Sequence, residues 1–127
     1  MSAFKHNPIN PTELRIGNLI YDDLGHVVHV SSLTHQTVES VIDENDRRVW
    51  TTVFRPLPIP IRDDVLERFG FEYEYTIGGF LRWQKGEFKL LDRRLPHPQF
   101  HHPQAMIQFV HELQNLYFAL THEELTL

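Results

Sequence analysis

The segment that decides the fold is QAMIQFVHELQNLYFALTHEEL, residues 104–125. Large apolar side chains recur in it at the three- and four-residue spacing of an α-helix. We therefore predict an amphipathic C-terminal helix over residues 104–125. Its apolar face carries Met106, Phe109, Val110, Leu113, Leu116, Tyr117 and Leu120, and its polar face carries Gln108, His111, Glu112, Asn115 and His122. Because a lone helix cannot bury so many large side chains, we expect this face to pack on a β-sheet.

The chain that precedes this helix is rich in short runs of β-branched and aromatic residues separated by turn residues, a pattern typical of antiparallel strands. We predict an extended arm at residues 1–13, a β-rich part at 14–61, a short helix at 62–70 that ends at Gly70, and a β-meander at 71–94. The predicted fold class is α+β in a single domain, 1–127. It comprises a small antiparallel barrel-like (SH3-like) N-terminal sheet, the short helix, the meander and the C-terminal helix packed on the sheet.

Composition excludes several classes of protein. The 127 residues include no cysteine, so disulfide frameworks and thiolate metal sites are excluded. The formal net charge of −5 disfavours binding to nucleic acid, which requires a basic surface. The sequence has no apolar run long enough to cross a membrane and no secretory signal, so we expect no membrane partner and a location in the cytoplasm. No cofactor is expected.

The segment RPLPIPI, residues 55–61, has proline at every second position. Each proline fixes φ and removes a backbone donor, so the pattern predicts an extended connector and not a central strand. Two interpretations remain open. The segment is either an internal spacer whose Leu57, Ile59 and Ile61 pack inward or a polyproline ligand for another protein.

Three strings carry a resemblance to a known group of proteins: ELRIGNLIYDD (13–23), PLPIPIRDDVLERFGFE (56–72) and VHELQNLYFALTHEEL (110–125). The chain resembles a family of small uncharacterised proteins of Bacteroidetes and of their phages and mobile elements, whose last block is similar to VHQLQNLYFALTGEEL. The resemblance implies a phage or mobile-element setting and carries no known activity. Arg62 stands where the family has threonine, and His122 stands where it has glycine. We therefore expect the first helix to start differently from that of the family, and the last helix to continue through Glu123 instead of stopping at Thr121.

Histidines form the nearest approach to a metal site. His97, His101 and His102 lie within the proline-broken string HPQFHHP. Zinc requires three or four converging ligands, usually from positions framed by a helix or paired strands, and no such spacing is present. We therefore predict no metal, and keep these three residues as candidate ligands of a small metallo-hydrolase.

A second group combines aromatic rings with arginines. Rings that stack and guanidinium groups that bind phosphate suit a nucleotide-like ligand. The candidate ligand-binding residues are Arg48, Trp50, Tyr73, Tyr75, Arg82, Trp83 and Arg94. The alternative is that the rings belong to the core and the arginines to the surface.

These observations lead to three functional hypotheses. The leading one is a non-catalytic binding protein, borne by a phage or mobile element, that sequesters a nucleotide-like signalling ligand of host defence. The second is a protein-interaction or assembly module that binds a host protein through the C-terminal helix and the proline-rich segment. Separately from the choice among these hypotheses, residual aromatic surface on the last helix, at Tyr117 and Phe118, predicts a homodimer or higher homo-oligomer. The third is the metallo-hydrolase.

Overall fold

The computed structural model describes residues 7–33, 38–44, 47–76, 80–92 and 99–127, with only the backbone described for 38–44 and 47–51. The chain forms two compact units, Met1–Pro60 and Ile61–Leu127. Each contains an antiparallel sheet, and the second also contains two α-helices, which confirms the α+β class. The single-domain organisation remains a prediction.

The first unit contains four antiparallel strands in the order β1-β2-β3-β4. They are β1 (Leu19–Tyr21), β2 (Val27–Leu33), β3 (Val38–Glu44) and β4 (Arg47–Val53). The register shifts between Val30 and Ser32, where β2 pairs with β3. The core beneath the sheet consists of Ile9, Leu14, Ile20, Val28, Val30 and Val53. The strands lie close to the predicted runs, whereas barrel-like closure is not observed among the described residues, whose strand order is linear.

The proline-rich segment covers the outer edge of β1. Tyr21 and Leu57 exchange two backbone hydrogen bonds, with N–O distances of 2.9 and 3.1 Å. Leu57 and Ile59 are 2% and 4% exposed. The inward-packing interpretation of this segment is therefore confirmed for its apolar residues. A polyproline ligand presents an accessible surface to its partner, and this buried segment does not.

The second unit contains five antiparallel strands in sequential order. Its elements are α1 (Asp63–Arg68), β5 (Glu72–Tyr75), β6 (Leu81–Lys85), β7 (Phe88–Asp92), β8 (Phe100–His102), β9 (Ala105–Ile107) and α2 (Val110–Thr121). The first three strands form the predicted meander. The last two were not predicted, because each is only three residues long and a proline and a glutamine lie between them. The Gln104 N–H donates to Nδ1 of His102 at 3.0 Å within that turn.

Helix α1 ends at Arg68, and Gly70 follows two residues later as the predicted stop. This glycine has a φ of +92°, the left-handed conformation that favours glycine. The Gly70 N–H donates to the Glu67 carbonyl and the Phe71 N–H donates to the Leu66 carbonyl, both at 3.0 Å. These two bonds are the Schellman motif, which satisfies carbonyls left free at a helix end.

Helix α2 is shorter than the predicted 104–125 at its N-terminal end. It begins at Val110 because the Glu112 carboxylate accepts hydrogen bonds from the backbone N–H groups of Gln108 (3.1 Å) and Phe109 (3.0 Å). A glutamate in the first turn thus satisfies donors that would otherwise lack a partner. The residues before it pair as β9 with β8, so Met106 lies on a strand and is 60% exposed.

The expectation that α2 continues through Glu123 is wrong. The helix ends at Thr121, and His122 adopts the left-handed conformation with a φ of +61°. The His122 N–H still donates to the Phe118 carbonyl at 2.8 Å. The chain then turns so that Leu125 is fully buried and its carbonyl accepts from the Gln114 side chain at 3.1 Å. Histidine thus occupies a C-terminal capping position without the conformational freedom of glycine.

The buried face of α2 is rotated relative to the predicted one. Val110, Leu113 and Tyr117 are buried as predicted, but His111 is only 5% exposed and Leu120 is 46% exposed. Placing His111 on a solvated face was therefore wrong. Hydropathy alone misplaces a buried face when polar side chains such as this histidine enter the interior, where they require hydrogen-bond partners.

Tyr117 joins α2 to the five-stranded sheet. Its ring makes edge contacts with Phe71 and Phe88, at centroid distances of 6.4 and 5.1 Å. Tyr117 is 4% exposed, so the prediction that it supplies a dimer surface is wrong, because the sheet covers it. Of the helices in the described residues, none has the length and apolarity needed to cross a membrane.

Candidate binding surface

Strand β5 lies at an edge of the five-stranded sheet and exposes every one of its residues. It follows the turn at Gly70 and alternates acidic and aromatic residues, Glu72, Tyr73, Glu74 and Tyr75. Tyr73 is 51% exposed and Tyr75 is 76% exposed. Strand alternation places the two tyrosines on one face of the sheet and the two glutamates on the other. Large exposed rings next to each other are the surface feature most often used for binding.

The two tyrosines lie beside a buried tryptophan. Trp83 pairs directly with Tyr73 across the strands, and the two rings are 4.9 Å apart at an interplanar angle of 49°. Trp83 has no exposed surface. The Tyr75 ring lies perpendicular to the Tyr73 ring at a centroid distance of 6.3 Å. Trp83 was a candidate for ligand contact. The structure places it in the core, where its ring packs beside that of Tyr73 on the same face of the sheet.

Arg82 lies on the opposite face from these rings. It pairs across the strands with Glu74, and its guanidinium forms an ion pair with the Glu74 carboxylate. The side chains are 40% and 53% exposed, so the pair is screened by solvent. The guanidinium and the tyrosine rings therefore do not converge on one ligand in the way a nucleotide site requires.

The backbone of β5 has an open outer edge. The Thr76 N–H donates to the Phe80 carbonyl at 2.9 Å, which fixes the hydrogen-bonding phase of the β5–β6 ladder. Because bonded and non-bonded pairs alternate in an antiparallel ladder, Glu72 and Glu74 bond to β6. Tyr73 and Tyr75 then direct their N–H and C=O groups away from β6. Within the described residues no strand lies on that side.

The remaining candidate ligand-binding residues cannot be placed beside these rings. Arg48 and Trp50 lie on β4 in the first unit, and only their backbone is described. Arg94 and the candidate metal ligand His97 lie outside the described residues. Their proposed roles remain predictions.

His101 and His102 are neighbours on β8 and therefore point to opposite faces of the sheet. The His102 ring stacks on Phe88 at a centroid distance of 4.8 Å and an angle of 24°. Burial there lowers the pKa of His102 below its usual 6.5, because desolvation disfavours the charged ring. Its Nδ1 accepts the Gln104 hydrogen bond, which places the proton of the neutral ring on Nε2. Two such side chains cannot bind one ion together.

The part of the chain that the structure describes contains no group of three histidine, cysteine, aspartate or glutamate residues arranged to hold a metal ion. His101 and His102 thus lack a third ligand among these residues. The metallo-hydrolase hypothesis consequently has no described geometry in its favour.

The two glutamates of β5 were not predicted as site residues, and its position at the edge of the sheet was not predicted either. The alternation EYEY was visible and correctly indicated a strand with two faces. Sequence does not show which strand of a meander lies at the edge, because that depends on which strands pair. Glu72 and Glu74 were therefore not among the candidate site residues.

Comparison with family models, with curated proteins and with solved structures finds no match to this chain. The relationship to the Bacteroidetes and phage family therefore remains a prediction. Function must be argued from the surface of β5 itself.

Proposed function

We propose that this protein is a non-catalytic binding protein and that β5 is its contact surface. The observation that carries the proposal is the exposure of Tyr73 and Tyr75 side by side on an edge strand, supported by the buried Trp83. Tyrosine rings provide large contact areas with few rotatable bonds, so they dominate many binding surfaces. The phage or mobile-element setting and the cytoplasmic location are part of this proposal.

A protein partner fits this surface better than a nucleotide does. The rings of Tyr73 and Tyr75 are perpendicular, at 90°, and do not form the parallel slot that clamps a planar base. Arg82 lies on the other face and is neutralised by Glu74. The strand instead offers two rings and the outward backbone groups of the same two residues, which suit a polypeptide.

Nucleotide sequestration is the second candidate. It is favoured by one observation, which is that the aromatic residues Tyr73 and Tyr75 are 51% and 76% exposed, and a base can stack on an exposed ring.

Site-specific crosslinking tests the proposal in the cell that produces the protein. The photoreactive residue p-benzoylphenylalanine is introduced in place of Tyr75, and in a control chain in place of Phe54, an aromatic residue of the first unit that is 85% exposed. We expect a discrete protein adduct from position 75 that is absent from position 54. Equal adducts from both positions, or none from position 75, would contradict β5 as the contact surface.

A parallel thermal-stability measurement against linear and cyclic nucleotides tests the second candidate. A ligand at 100 times its Kd adds about 2.7 kcal/mol to the free energy of unfolding, which raises Tm by several degrees in a domain of this size. A shift that the double substitution Tyr73→Ala and Tyr75→Ala removes would favour the nucleotide. The absence of any shift, together with the position 75 adduct, would favour the protein partner.

A further inference from the structure

We infer that β5 accepts an extended segment of a partner protein as a sixth strand, and that this segment alternates basic with apolar residues. The inference rests on the proposed function and names the class of partner that the same surface binds. It is carried by two features of β5: the direction of its backbone groups, and the charge on the face that carries Glu72 and Glu74.

Among the described residues no strand pairs with the outward backbone groups of Tyr73 and Tyr75, so an added strand can bond to them. In the β5–β6 ladder the bonded positions are those of Glu72 and Glu74, which leaves the tyrosine N–H and C=O groups pointing outward. An antiparallel segment placed there forms its hydrogen-bonded pairs directly opposite the two tyrosines. Edge strands with free groups of this kind are templates for strand addition.

The side chains on the two faces specify the sequence of that segment. Glu72 and Glu74 lie two residues apart on one face, about 7 Å from each other along the strand. Tyr73 and Tyr75 lie at the same spacing on the other face. A segment with lysine or arginine at every second position matches the carboxylates, and its intervening apolar side chains cover the rings.

Charge makes a second copy of this chain a poor occupant. Two β5 strands paired edge to edge would bring the carboxylates of Glu72 and Glu74 next to those of the other copy, and like charges opposite each other are destabilising. Arg82 offsets only the Glu74 charge, and the chain carries a net charge of −5. A basic segment from a different protein is the complementary occupant.

The test uses the full chain and a synthetic probe, an acetylated and amidated peptide of alternating lysine and valine, measured by calorimetry and by NMR shifts of the Tyr73 and Tyr75 amides. Two N-methylated versions are compared. Methylation of the valine amides blocks the bonds that face β5, and methylation of the lysine amides leaves them intact because those groups point away. We expect the first version to bind at least about tenfold more weakly than the unmodified peptide. We expect the second to bind about as well as the unmodified peptide.

Charge is tested by replacing lysine with glutamate in the probe and by Glu72→Gln in the protein. Glu123→Gln is the matched control, because Glu123 is an exposed glutamate outside β5. We expect the acidic peptide not to bind, the Glu72→Gln variant to bind the basic peptide several-fold more weakly, and the control to be unchanged. The affinity should also fall as salt is raised.

Three outcomes would overturn the inference. They are equal binding of both N-methylated peptides, equal binding of the acidic and basic peptides, and sedimentation as a dimer that Tyr75→Pro disrupts by removing an outward N–H of β5. Each of these leaves the crosslinking result at position 75 standing, so the failure of strand addition is distinguishable from the failure of β5 as a contact surface. Loss of the position 75 adduct would refute the proposed function itself.

Discussion

The outer edges of the first strands of the two sheets, β1 and β5, differ. In β1, Tyr21 directs its backbone groups outward and Leu57 satisfies both of them. In β5, Tyr75 occupies the equivalent place, just before a hairpin, and no strand of the described residues lies against it. Both strands begin a meander and carry a tyrosine with outward backbone groups. One edge is covered by the chain itself, and the other is open as far as the described segments show.

The backbone geometry of the two strands is alike in this respect, so it does not decide whether an edge is covered. The segment that covers the edge, and the charge beside it, make the difference. The cover on β1 consists of residues 56–59, which are uncharged and buried. The Asp23 carboxylate binds the chain just before them. Asp23 accepts from the N–H groups of Phe54 (3.1 Å) and Arg55 (2.6 Å). Strand β5 carries exposed glutamates, which discourage self-association at an open edge. The covered edge and the exposed edge thus differ in charge.

Removing the cover should have the largest effect. Leu57→Ala should lower the free energy of unfolding by about 2–5 kcal/mol, because a fully buried leucine leaves a cavity. Chemical denaturation measures the loss. Tyr75→Ala is the matched change on the open edge, and we expect it to stay within about 0.5 kcal/mol of the unmodified protein. Similar losses for the two variants would mean that β5 is also covered.

Proline substitution tests the backbone groups directly. Tyr21→Pro removes the N–H bonded to the Leu57 carbonyl, and leaving that buried acceptor without a donor should cost about 1–3 kcal/mol. Tyr75→Pro removes an outward N–H from an edge strand, where proline is tolerated, and should cost little. Tyr21→Val and Tyr75→Val keep the N–H and serve as controls. Fast hydrogen exchange of the Tyr21 amide, or slow exchange of the Tyr75 amide, would contradict the assignment.

The carboxylate that anchors the cover should have a smaller effect. Asp23→Ala removes two hydrogen bonds to a charged acceptor, but both donors belong to exposed residues and can bind water instead. We expect a loss of about 1 kcal/mol, measured by thermal or chemical unfolding. Asp23→Asn retains one oxygen acceptor and should lose less. Identical losses would contradict this and show that the remaining amide oxygen restores neither bond, so that the charge of Asp23 carries the effect.

The exposed ion pair on β5 should have the smallest effect on stability. A double-mutant cycle with Glu74→Ala and Arg82→Ala should give a coupling energy of about 0.2–1 kcal/mol, and the coupling should shrink as salt is raised. The measurement is the difference between the double and single losses in denaturation. A coupling energy well above this range would indicate that the face of β5 that carries Glu74 is shielded from water.

Several elements were predictable because their cause is local. Gly70 ends α1 since it supplies the left-handed residue of a Schellman motif, and the alternation of β5 follows from its own letters. Strands β8 and β9 were missed because three-residue strands carry almost no periodic signal. The start of α2 was misplaced because Glu112 captures the N–H groups of Gln108 and Phe109, a choice between two structures that hydropathy does not register.

The candidate site was predictable only in part, for the same reason. Tyr73 and Tyr75 could be chosen from composition and spacing. The burial of Trp83 and the pairing of Arg82 with Glu74 depend on the register of β5 against β6, which decides which side chains share a face. A list of aromatic and basic residues therefore mixed core, ion pair and surface.

The sequence by itself determined the α+β class, the meander, the turn at Gly70 and the amphipathic character of the last helix, because these follow from interactions between residues close in the chain. Only the tertiary structure decided which edge is covered, where His111 and Tyr117 lie, and which face each member of the candidate site occupies. Those outcomes depend on pairing between distant segments, such as Tyr21 with Leu57, and local sequence does not encode which pairing has the lowest free energy.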